Sequence, residues 1–400
     1  LEAQVLRLSE SFPVVMVIGP RQVGKTTMLR TLAASSERRY VSLDEFGPRS
    51  LALEDPALFL QRYPAPVLVD EVQHAPVLLE HLKAEVDRQA TMGGYWLTGS
   101  QQFPLLRGVS ESLAGRVGLL RLDGLSTAEE NGEIHRPEPF RPDRTAWPET
   151  RRGAGLLDIF ARIVRGGMPR MLHDDAPPWE TYYGSYVQTY IERDVRSMLA
   201  IADLAAFQRF LKLAAARCGQ LLSYSDLARD TGVAVSTARE WLHVLEASSQ
   251  VVLLWPYFEN LSSRQVKTPK LYFMDTGLAA YLAGWKSAET SSTGAMAGPL
   301  FDTHVVSEVF KSYRHRGVDP LLYFWRDKER REVDLVIAED GQLFPIEVKL
   351  AGAPSRRDLR GIDALRRLGA PLGPGALVAP IPEPYPLTET TTAIPPQAIT

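Results

Sequence analysis

The sequence predicts an α/β protein whose first part is built on a parallel sheet, and three features support this fold class. Five short apolar runs alternate with helical stretches between residues 1 and 125, a pattern typical of a parallel sheet with helical crossovers. The first run, "VVMVI", leads directly into a glycine-rich loop and a further helix. Near the carboxyl end, two strand-like runs with acidic residues flank a tight turn. The first feature gives the class, and the other two indicate where its sites lie.

The length of the chain, 400 residues, predicts several domains, because a single core rarely grows to this size. The stretch 287–298 is rich in small polar residues, and we interpret it as a linker. The segments that we expect are a nucleotide-binding core over 1–130, a loop and helical lid region over 131–220, a winged helix-turn-helix over 221–286, a nuclease-like domain over 299–380, and a proline- and threonine-rich tail over 381–400, extended or partly ordered.

Composition and charge restrict the class of protein further. The net charge is −3, so nucleic acid would have to bind to local basic patches rather than to a general positive field. Cys218 is the single cysteine, which excludes an intrachain disulfide and a cysteine-based zinc site and favours a reducing compartment. No apolar run is long enough to span a bilayer. We therefore expect a cytoplasmic protein that does not interact with a membrane.

The segment "GPRQVGKTT" has the arrangement of a phosphate-binding loop. Gly19 and Gly24 allow the backbone N–H groups to turn towards phosphates, and Lys25 would reach the β- and γ-phosphates. Thr26 would bind Mg²⁺, and Thr27 continues the helix whose N-terminus faces the phosphates. The cofactors predicted by this loop are ATP and Mg²⁺.

A second apolar strand, "PVLVDEV", ends in two acidic residues. Asp70 at the strand end is typical of a Mg²⁺ ligand that acts through water. Glu71 is the predicted general base, or water-orienting group, for hydrolysis. The alternative is that the two acids merely end a strand, but the phosphate-binding loop upstream favours the catalytic interpretation.

Two further residue types are expected around the γ-phosphate. The strand "YWLTGS" ends in Thr98 and Ser100, and we favour Ser100 as the polar group that senses the γ-phosphate and positions water. Phosphoryl transfer also gains from an arginine, often supplied by a neighbouring subunit. Arg116 in "LAGRVGLL" is the first candidate and Arg107 the second.

The segment that begins at Tyr224 predicts a winged helix-turn-helix. Gly232 suits the left-handed turn after the first helix, and apolar residues follow at helical spacing on the second. DNA contact is one interpretation, and protein docking is the other, since the second helix carries one arginine and also an acidic residue, Glu240. The predicted DNA-binding residues are Thr237, Arg239 and His243 on the second helix and Arg264, Lys267 and Lys270 in the wing.

The strand "FPIEVKL" places Glu347 and Lys349 on one face. The preceding run "REVDLVIAEDGQL" predicts a hairpin that brings Asp334 beside them. Asp followed by Glu-x-Lys on the next strand is the PD-(D/E)XK nuclease arrangement, in which two carboxylates hold Mg²⁺ and the lysine stabilises developing charge. Glu308 on the upstream helix is a further candidate ligand. Glu-x-Lys alone is more often a pair on a solvated strand, so cleavage remains one of two interpretations.

Together, the motifs resemble a family of bacterial and archaeal ATPases that join an AAA+-type domain to a C-terminal domain of unknown function, DUF4143. The resemblance rests on "GPRQVGKTT", "VLVDEVQ", "LTGSQQF", "LAGR", "YIERDV", "KLYFMDTGLAAYL", "FWRDKERREVDLVI" and "PIEVK". It implies a P-loop AAA+-type NTPase domain, a helical region, a winged helix-turn-helix and a C-terminal restriction-endonuclease-like α/β domain. It also implies a homo-oligomer, expected to be a hexameric ring.

The function that we predict is a Mg²⁺-dependent ATPase that oligomerises and acts on DNA, with branched and single-stranded DNA as the candidate forms. Val333 stands where such nucleases often have proline, which weakens the case for cleavage. Two alternatives stay open: an ATP-dependent metal nuclease, and a regulatory ATPase whose winged helix binds protein.

Overall fold

A computed structural model describes residues 1–89, 91–100, 112–133, 138–144, 147, 152–191, 203–257, 268–367, 369 and 371–399. The chain forms two compact units. The first unit contains Leu1–Gly124, Ala247–Ser249 and Arg314–Val318, and the second contains Leu125–Glu246, Gln250–Tyr313 and Asp319–Thr400. Each unit contains one of the two sheets that bear the predicted sites.

The first unit is an α/β layer. Its strands are β1 (Val14–Ile18), β2 (Arg39–Ser42), β3 (Val67–Asp70), β4 (Tyr95–Gly99) and β5 (Val117–Arg121). Its helices are α1 (Glu2–Ser11), α2 (Lys25–Ala33), α3 (Phe46–Glu54), α4 (Pro56–Arg62) and α5 (Leu78–Gln89).

The sheet of the first unit has the order β2-β3-β4-β1-β5, and all of its neighbouring strands are parallel. The five strands predicted from the apolar runs are confirmed. β1, β3 and β4 are buried along their whole length, as expected for strands covered on both faces. Because parallel strands end at the same edge, the loop after β1 and the polar residues at the ends of β3 and β4 come together there.

The second unit begins with helices. They are α6 (Thr127–Glu130), α7 (Leu156–Arg165), α8 (Trp179–Tyr186), α9 (Leu204–Ala215), α10 (Tyr224–Thr231), α11 (Val235–Ala247), α12 (Thr276–Ala283), α13 (Ala288–Thr293), α14 (Ala297–Arg314) and α15 (Arg360–Arg367). The last residues of α11 and α14 belong to the first unit. None of the helices in the described part of the chain is both long and apolar enough to cross a membrane.

Among its described residues, the second unit contains eight strands in one sheet. They are β6 (Val251–Pro256), β7 (Lys270–Phe273), β8 (Leu322–Arg326), β9 (Glu332–Glu339), β10 (Gln342–Val348), β11 (Gly375–Val378), β12 (Tyr385–Thr388) and β13 (Thr391–Ile394). Their order is β12-β13-β11-β10-β9-β8-β6-β7. The antiparallel pair β6 and β7 joins the sheet through a parallel pairing of β6 with β8. Strands from the segments 221–286 and 299–380 therefore share one sheet.

The predicted hairpin between β9 and β10 is confirmed. Asp340 and Gly341 form its turn, both with positive φ (51° and 76°), which suits a two-residue turn that matches the twist of the strands. A register shift between β8 and β9 interrupts the alternation of β9. As a result Val333 and Val336 pack in the same core cluster, against residues of α15.

Two stretches of the second unit contain more regular structure than the sequence predicted. The stretch 287–298, interpreted as a linker, forms α13, which packs against α7 and has Ser291 fully buried. The tail 381–400 supplies β12 and β13, and β13 pairs in parallel with β11 inside the sheet. Threonine in the tail favours a strand, and the apolar Ala393 and Ile394 are buried there.

Candidate functional site

The loop after β1 has the backbone of a phosphate-binding loop. Gly19 has a φ of 152°, and a Cβ atom at this position would lie 2.0 Å from the carbonyl oxygen of Leu122. Gly24 has a φ of 94° and immediately precedes α2. Both positions need glycine, the first for close approach and the second for its left-handed conformation. The N-terminus of α2 thus faces the space that the loop encloses.

Lys25 folds back onto this loop. It is 5% exposed, and its Nζ donates hydrogen bonds to the carbonyl oxygens of Gly19 (3.0 Å) and Pro20 (2.7 Å). These carbonyls hold the ammonium group beside the space that phosphates would fill. Thr27 is exposed on α2, and its carbonyl oxygen accepts a hydrogen bond from Thr31.

Asp70, at the end of β3, accepts three side-chain hydrogen bonds. Its Oδ1 accepts from Thr26 Oγ1 (2.7 Å) and from Thr98 Oγ1 (2.5 Å). Its Oδ2 accepts from the Tyr40 hydroxyl (3.1 Å). Burial and the charge of Asp70 raise the pKa of Tyr40, so the phenol remains the donor. Arg30 lies over the Tyr40 ring, 4.8 Å from its centroid.

Glu71 is fixed by its backbone and by two side chains. It adopts a left-handed conformation (φ 57°), and its N–H donates to Thr98 Oγ1 (2.9 Å). Its Oε2 accepts from Ser100 Oγ (3.2 Å) and from Gln73 Nε2, which also donates to Ser100 Oγ (3.1 Å). A strained non-glycine residue of this kind is typical of functional sites. Thr98 thus bonds both acids, whereas Ser100 bonds Glu71.

Arg116 is paired within its own chain. Its Nε and Nη2 donate to the two carboxylate oxygens of Asp87 on α5, at 2.5 and 3.0 Å, and a third (33%) of its side chain is exposed. The second arginine candidate, Arg107, lies outside the described residues.

The first site fits a nucleotide with its Mg²⁺. Thr26 and Asp70 offer oxygen atoms within hydrogen-bonding distance of each other, which suits a hard cation that also binds phosphate oxygens. Tyr40 and Gln73 were missed by the sequence reasoning. Gln73 follows the two acids in "DEVQ", so its place beside them was a usable signal, whereas Tyr40 comes from β2 and becomes a neighbour only through strand pairing.

The helix pair α10 and α11 is packed as the apolar pattern predicted. Gly232 ends α10 in the left-handed conformation, with φ of 83°. Trp241 is buried and packs edge-on against Phe207 and Phe210 of α9, with ring centroids 5.3 Å apart in each pair. The buried face of α11 therefore belongs to the core of the second unit.

The outer face of α11 borders a cavity of about 630 Å³. Arg239 is exposed and lies over the ring of Tyr224, 5.0 Å from its centroid. His243 is exposed, and Thr237 is partly buried. The cavity is lined by Leu222, Tyr224, Arg239, Glu240, His243, Glu246, Leu253, Trp255, Thr268 and Pro269. Its wall carries two acids as well as an arginine.

The prediction that Lys270 contacts DNA from the wing is wrong. Lys270 begins β7 and is 4% exposed, because β7 pairs with β6 and β6 pairs with β8 of the large sheet. Its ammonium group faces Glu332 and not solvent. Arg264 and Lys267 lie outside the described residues.

The carboxylate cluster of the large sheet forms where the hairpin was expected to bring it together. Asp334 Oδ2 accepts from the N–H of Val348 (3.0 Å), and Lys349 Nζ lies 3.7 Å from the same oxygen. Lys349 Nζ also donates to Glu347 Oε1 (2.7 Å). The predicted adjacency of Asp334, Glu347 and Lys349 is confirmed.

Burial dominates the electrostatics of this cluster. Burial, followed by the charge of Asp334, raises the pKa of Glu347 to about 8. The same two causes raise the pKa of Asp302, on α14, to about 8. Asp302 is therefore the helical acid that faces the strands, and the sequence reasoning missed it.

The assignment of Glu308 to this cluster is wrong. Glu308 is 1% exposed, and its carboxylate accepts from the N–H of Thr127 (2.7 Å) and from Lys311 Nζ (3.1 Å), with Arg162 at 3.4 Å. Burial opposes its ionisation, but Lys311 and Arg162 outweigh burial and hold its pKa well below the usual range. Six residues along a helix correspond to a rotation of about 600°, so Asp302 and Glu308 face different sides of α14.

The fit of a nuclease metal to this cluster is poor. Within the described ranges, no group of three or more His, Cys, Asp or Glu side chains is placed to hold a metal ion. The carboxylates of the cluster are engaged by lysines instead.

Family models match three consecutive parts of the chain. A model described as an AAA domain matches residues 11–130, and one described as a domain of unknown function (DUF4143) matches residues 297–399. Between them, a second domain of unknown function (DUF8612) matches residues 157–289. The first match covers the phosphate-binding loop, and the last covers the carboxylate cluster.

Relatives match over nearly the whole chain. An uncharacterized protein of Mycobacterium tuberculosis is 30% identical over 402 residues, which is 98% of this chain and 82% of the relative. An uncharacterized protein of Mycobacterium bovis gives the same values.

Two solved structures show weaker likeness. The Walker-type ATPase of Pyrococcus abyssi has a TM-score of 0.40 at 17% identity and covers 70% of this chain and 94% of its own. The RuvB Holliday junction branch migration motor of Thermotoga maritima has a TM-score of 0.32 at 19% identity and covers 63% of this chain and 87% of its own.

Proposed function

Because this chain belongs to the family of AAA-type ATPases that carry a C-terminal DUF4143 domain, we propose that it hydrolyses ATP as the Mg²⁺ complex and uses the hydrolysis to act on DNA. One observation carries the ATPase proposal. Asp70 and Glu71 lie side by side at the edge of the parallel sheet, Asp70 bonded to Thr26 of the phosphate-binding loop and Glu71 to Ser100.

The residues have separable roles in this proposal. Thr26 and Asp70 would hold the Mg²⁺ of the substrate, and Lys25 would leave its loop carbonyls for the phosphates. Glu71 accepts the proton of the attacking water, while Ser100 and Gln73 fix its carboxylate. Thr98 ties the two acids together, because one hydroxyl bonds both the Asp70 carboxylate and the Glu71 backbone.

The test of the ATPase proposal is the Lys25→Ala variant. We expect it to lose ATP binding, measured with a fluorescent nucleotide, and to release no phosphate above background. Arg62→Ala, which changes an exposed cation at the end of α4, is the matched control and should bind ATP as the wild type does. Normal turnover in the Lys25→Ala variant would refute the proposed site.

We further propose a ring-shaped homo-oligomer in which Arg116 reaches the γ-phosphate of a neighbouring subunit. Its partial exposure supports this role, and the ion pair with Asp87 would be exchanged for the γ-phosphate. Mixing inactive Arg116→Ala with inactive Glu71→Gln protein tests it. Recovered activity is expected if the arginine acts in trans. Without recovery, Arg116 would either act on the nucleotide of its own subunit or have no role in hydrolysis.

The DNA proposal rests on α10, the Gly232 turn and the exposed Arg239 and His243 of α11, which support a winged helix-turn-helix. In the same proposal, β8 to β11 with α14 form a nuclease-like core that binds DNA without cutting it. Binding of forked and double-stranded DNA across salt concentrations tests contact with phosphates, since each phosphate contact steepens the salt dependence. Binding that is absent at low salt would favour the regulatory alternative, and cleavage that Glu347→Ala removes would favour the nuclease.

A further inference from the structure

A second lysine enters the carboxylate cluster of the large sheet. Lys270 Nζ lies 2.5 Å from Glu332 Oε1 and 3.5 Å from Asp334 Oδ1. The nuclease pattern in the sequence contains a single lysine, Lys349. Lys270 comes from β7, more than sixty residues upstream of Asp334, and reaches the cluster through strand pairing.

The position of Lys270 is fixed by the fold. β7 pairs with β6, β6 pairs with β8, and β8 pairs with β9, which carries both Glu332 and Asp334. Its ammonium group also lies over the ring of Phe324 on β8, 5.4 Å from the centroid. With its side chain 5% exposed, Lys270 is held inside the protein, where a lysine is stable only when it is paired.

Both oxygens of Asp334 already face a cation. Oδ1 faces Lys270 at 3.5 Å, while Oδ2 faces Lys349 at 3.7 Å and accepts the Val348 N–H at 3.0 Å. Glu347 Oε1 is bonded to Lys349. A divalent cation shared by Asp334 and Glu347 would therefore stand close to two ammonium groups, which repel it.

We propose that Lys270 takes the place of a metal ion in this cluster, so that the native protein binds no divalent cation there. The ammonium group neutralises Asp334 and Glu332 and fastens β7 to β9. The acids that match the nuclease pattern thereby form an internal ion cluster. This inference concerns the second unit and does not depend on the proposed ATPase site.

One atom of the cluster suggests how the site would change without Lys270. Glu347 Oε2 is buried and has no hydrogen-bond partner among the described residues. With the ammonium group of Lys270 removed, Asp334 Oδ1 would lose its cation while Glu347 Oε2 would still lack a partner, so the two oxygens could share a metal ion. Replacement of Lys270 by methionine, an apolar side chain of similar length, should therefore create a metal site.

The experiment measures Mn²⁺ binding to the full chain without nucleotide, by the loss of the free-ion electron paramagnetic resonance signal. Four proteins are compared: wild type, Asp334→Asn, Lys270→Met and the double variant Lys270→Met/Asp334→Asn. Any Mn²⁺ bound weakly by the phosphate-binding loop is common to all four. We expect wild type and Asp334→Asn to bind equally, Lys270→Met to gain about one ion per chain with at least tenfold higher affinity, and the double variant to lose that ion.

Two results would overturn the inference. In the first, wild type binds a Mn²⁺ ion that the Asp334→Asn variant does not bind, which would show that the native cluster binds metal beside Lys270. The second is a folded Lys270→Met variant that binds no more Mn²⁺ than wild type, with folding checked by circular dichroism. If Lys270→Met does not fold, the comparison of wild type with Asp334→Asn still decides whether the native cluster takes a metal.

Discussion

The two sheets of this protein each bring a pair of acids together, but with different hydrogen-bond and ion-pair partners. In the first unit, Asp70 is bonded by three hydroxyl groups, which carry no charge. In the second unit, Asp334 faces two lysine ammonium groups. A carboxylate held by neutral donors keeps its charge for an incoming cation, whereas a carboxylate paired with lysine has already lost that attraction.

This difference shows why a motif of acids alone does not identify a metal site. Both regions match a sequence pattern associated with Mg²⁺, and each brings two of the expected acids together. What separates them is the donor set supplied by neighbouring elements: Thr26, Thr98 and Tyr40 in one case, and Lys270 and Lys349 in the other. Experiments that change one acid or one donor in each region test the comparison.

The largest effect is expected for Glu71→Gln. Loss of a general base lowers the rate by about 10²- to 10⁴-fold, while the amide keeps the shape of the side chain and ATP affinity stays within about threefold. Phosphate release and fluorescent-nucleotide binding measure the two quantities separately. Glu80→Gln, an exposed position on α5, is the control. Turnover of the Glu71→Gln protein at the wild-type rate would remove Glu71 as the base and weaken the contrast between the two units.

A smaller loss is expected for Gln73→Leu. The amide donates to Glu71 and to Ser100, and a hydrogen bond to a charged group contributes about 1.5 kcal/mol, or roughly tenfold in kcat. Since Gln73 acts through Glu71 and not on the nucleotide, the KM for ATP should not change. A raised KM with normal kcat would instead place Gln73 in nucleotide binding.

The second unit should differ in its response to pH. The pKa of Glu347 is raised from 4.5 to about 8 in the folded protein, so the folded state binds the proton more tightly than the unfolded state between those values. The contribution of Glu347 to stability is therefore full below about pH 4.5 and is lost as the pH rises through about 8. Between pH 4.5 and about 8, the free energy of unfolding therefore decreases as the pH rises.

Glu347→Gln removes the titrating carboxyl group and keeps the shape of its neutral form. The Tm of the variant minus that of wild type should be a few degrees higher at pH 8.5 than at pH 5, when both are measured by circular dichroism in EDTA. Glu389→Gln, an exposed position, is the control. If the difference in Tm between the variant and wild type were the same at both pH values, Lys349 and Lys270 would keep Glu347 ionised at both.

Local sequence signals predicted the parts of the two sites that depend on one segment or on a hairpin. The phosphate-binding loop, the strand ends and the β9–β10 hairpin each follow from residues close together in the chain. Lys270 and Tyr40 did not, because they reach Asp334 and Asp70 through pairing of strands that are distant in sequence. Periodicity alone does not specify that pairing.

The choice between Asp302 and Glu308 failed for a related reason. Both are acids on α14, and the sequence does not state which side of that helix faces the sheet. Packing decides it: Glu308 faces Lys311 and Arg162 in a buried ion cluster, while Asp302 faces Asp334. Lys311, which pairs with Glu308, lies three residues further along the same helix. Arg162, the other partner, lies on a different helix, so only one of the two partners is close to Glu308 in the sequence.

The smallest effect is expected for Tyr40→Phe, which removes one of the three hydroxyl groups on Asp70. A neutral hydrogen-bond donor contributes about 0.5–1.5 kcal/mol, so the Mg²⁺ concentration for half-maximal ATPase activity should shift by roughly two- to tenfold. The kcat at saturating Mg²⁺ should stay near the wild-type value, because Thr26 and Thr98 still bond Oδ1.

The direction of the shift in Mg²⁺ requirement distinguishes two possible roles of the Tyr40 hydroxyl. The Tyr40 hydroxyl bonds Asp70 Oδ2, so its removal either frees this oxygen for the cation or loosens the carboxylate. A lower Mg²⁺ requirement would mean that the donor competes with the metal, as Lys270 is proposed to do at Asp334. A higher requirement is what we expect, because a neutral donor orients the carboxylate without cancelling its charge. Tyr63→Phe, at the end of α4, is the control and should leave the Mg²⁺ requirement unchanged.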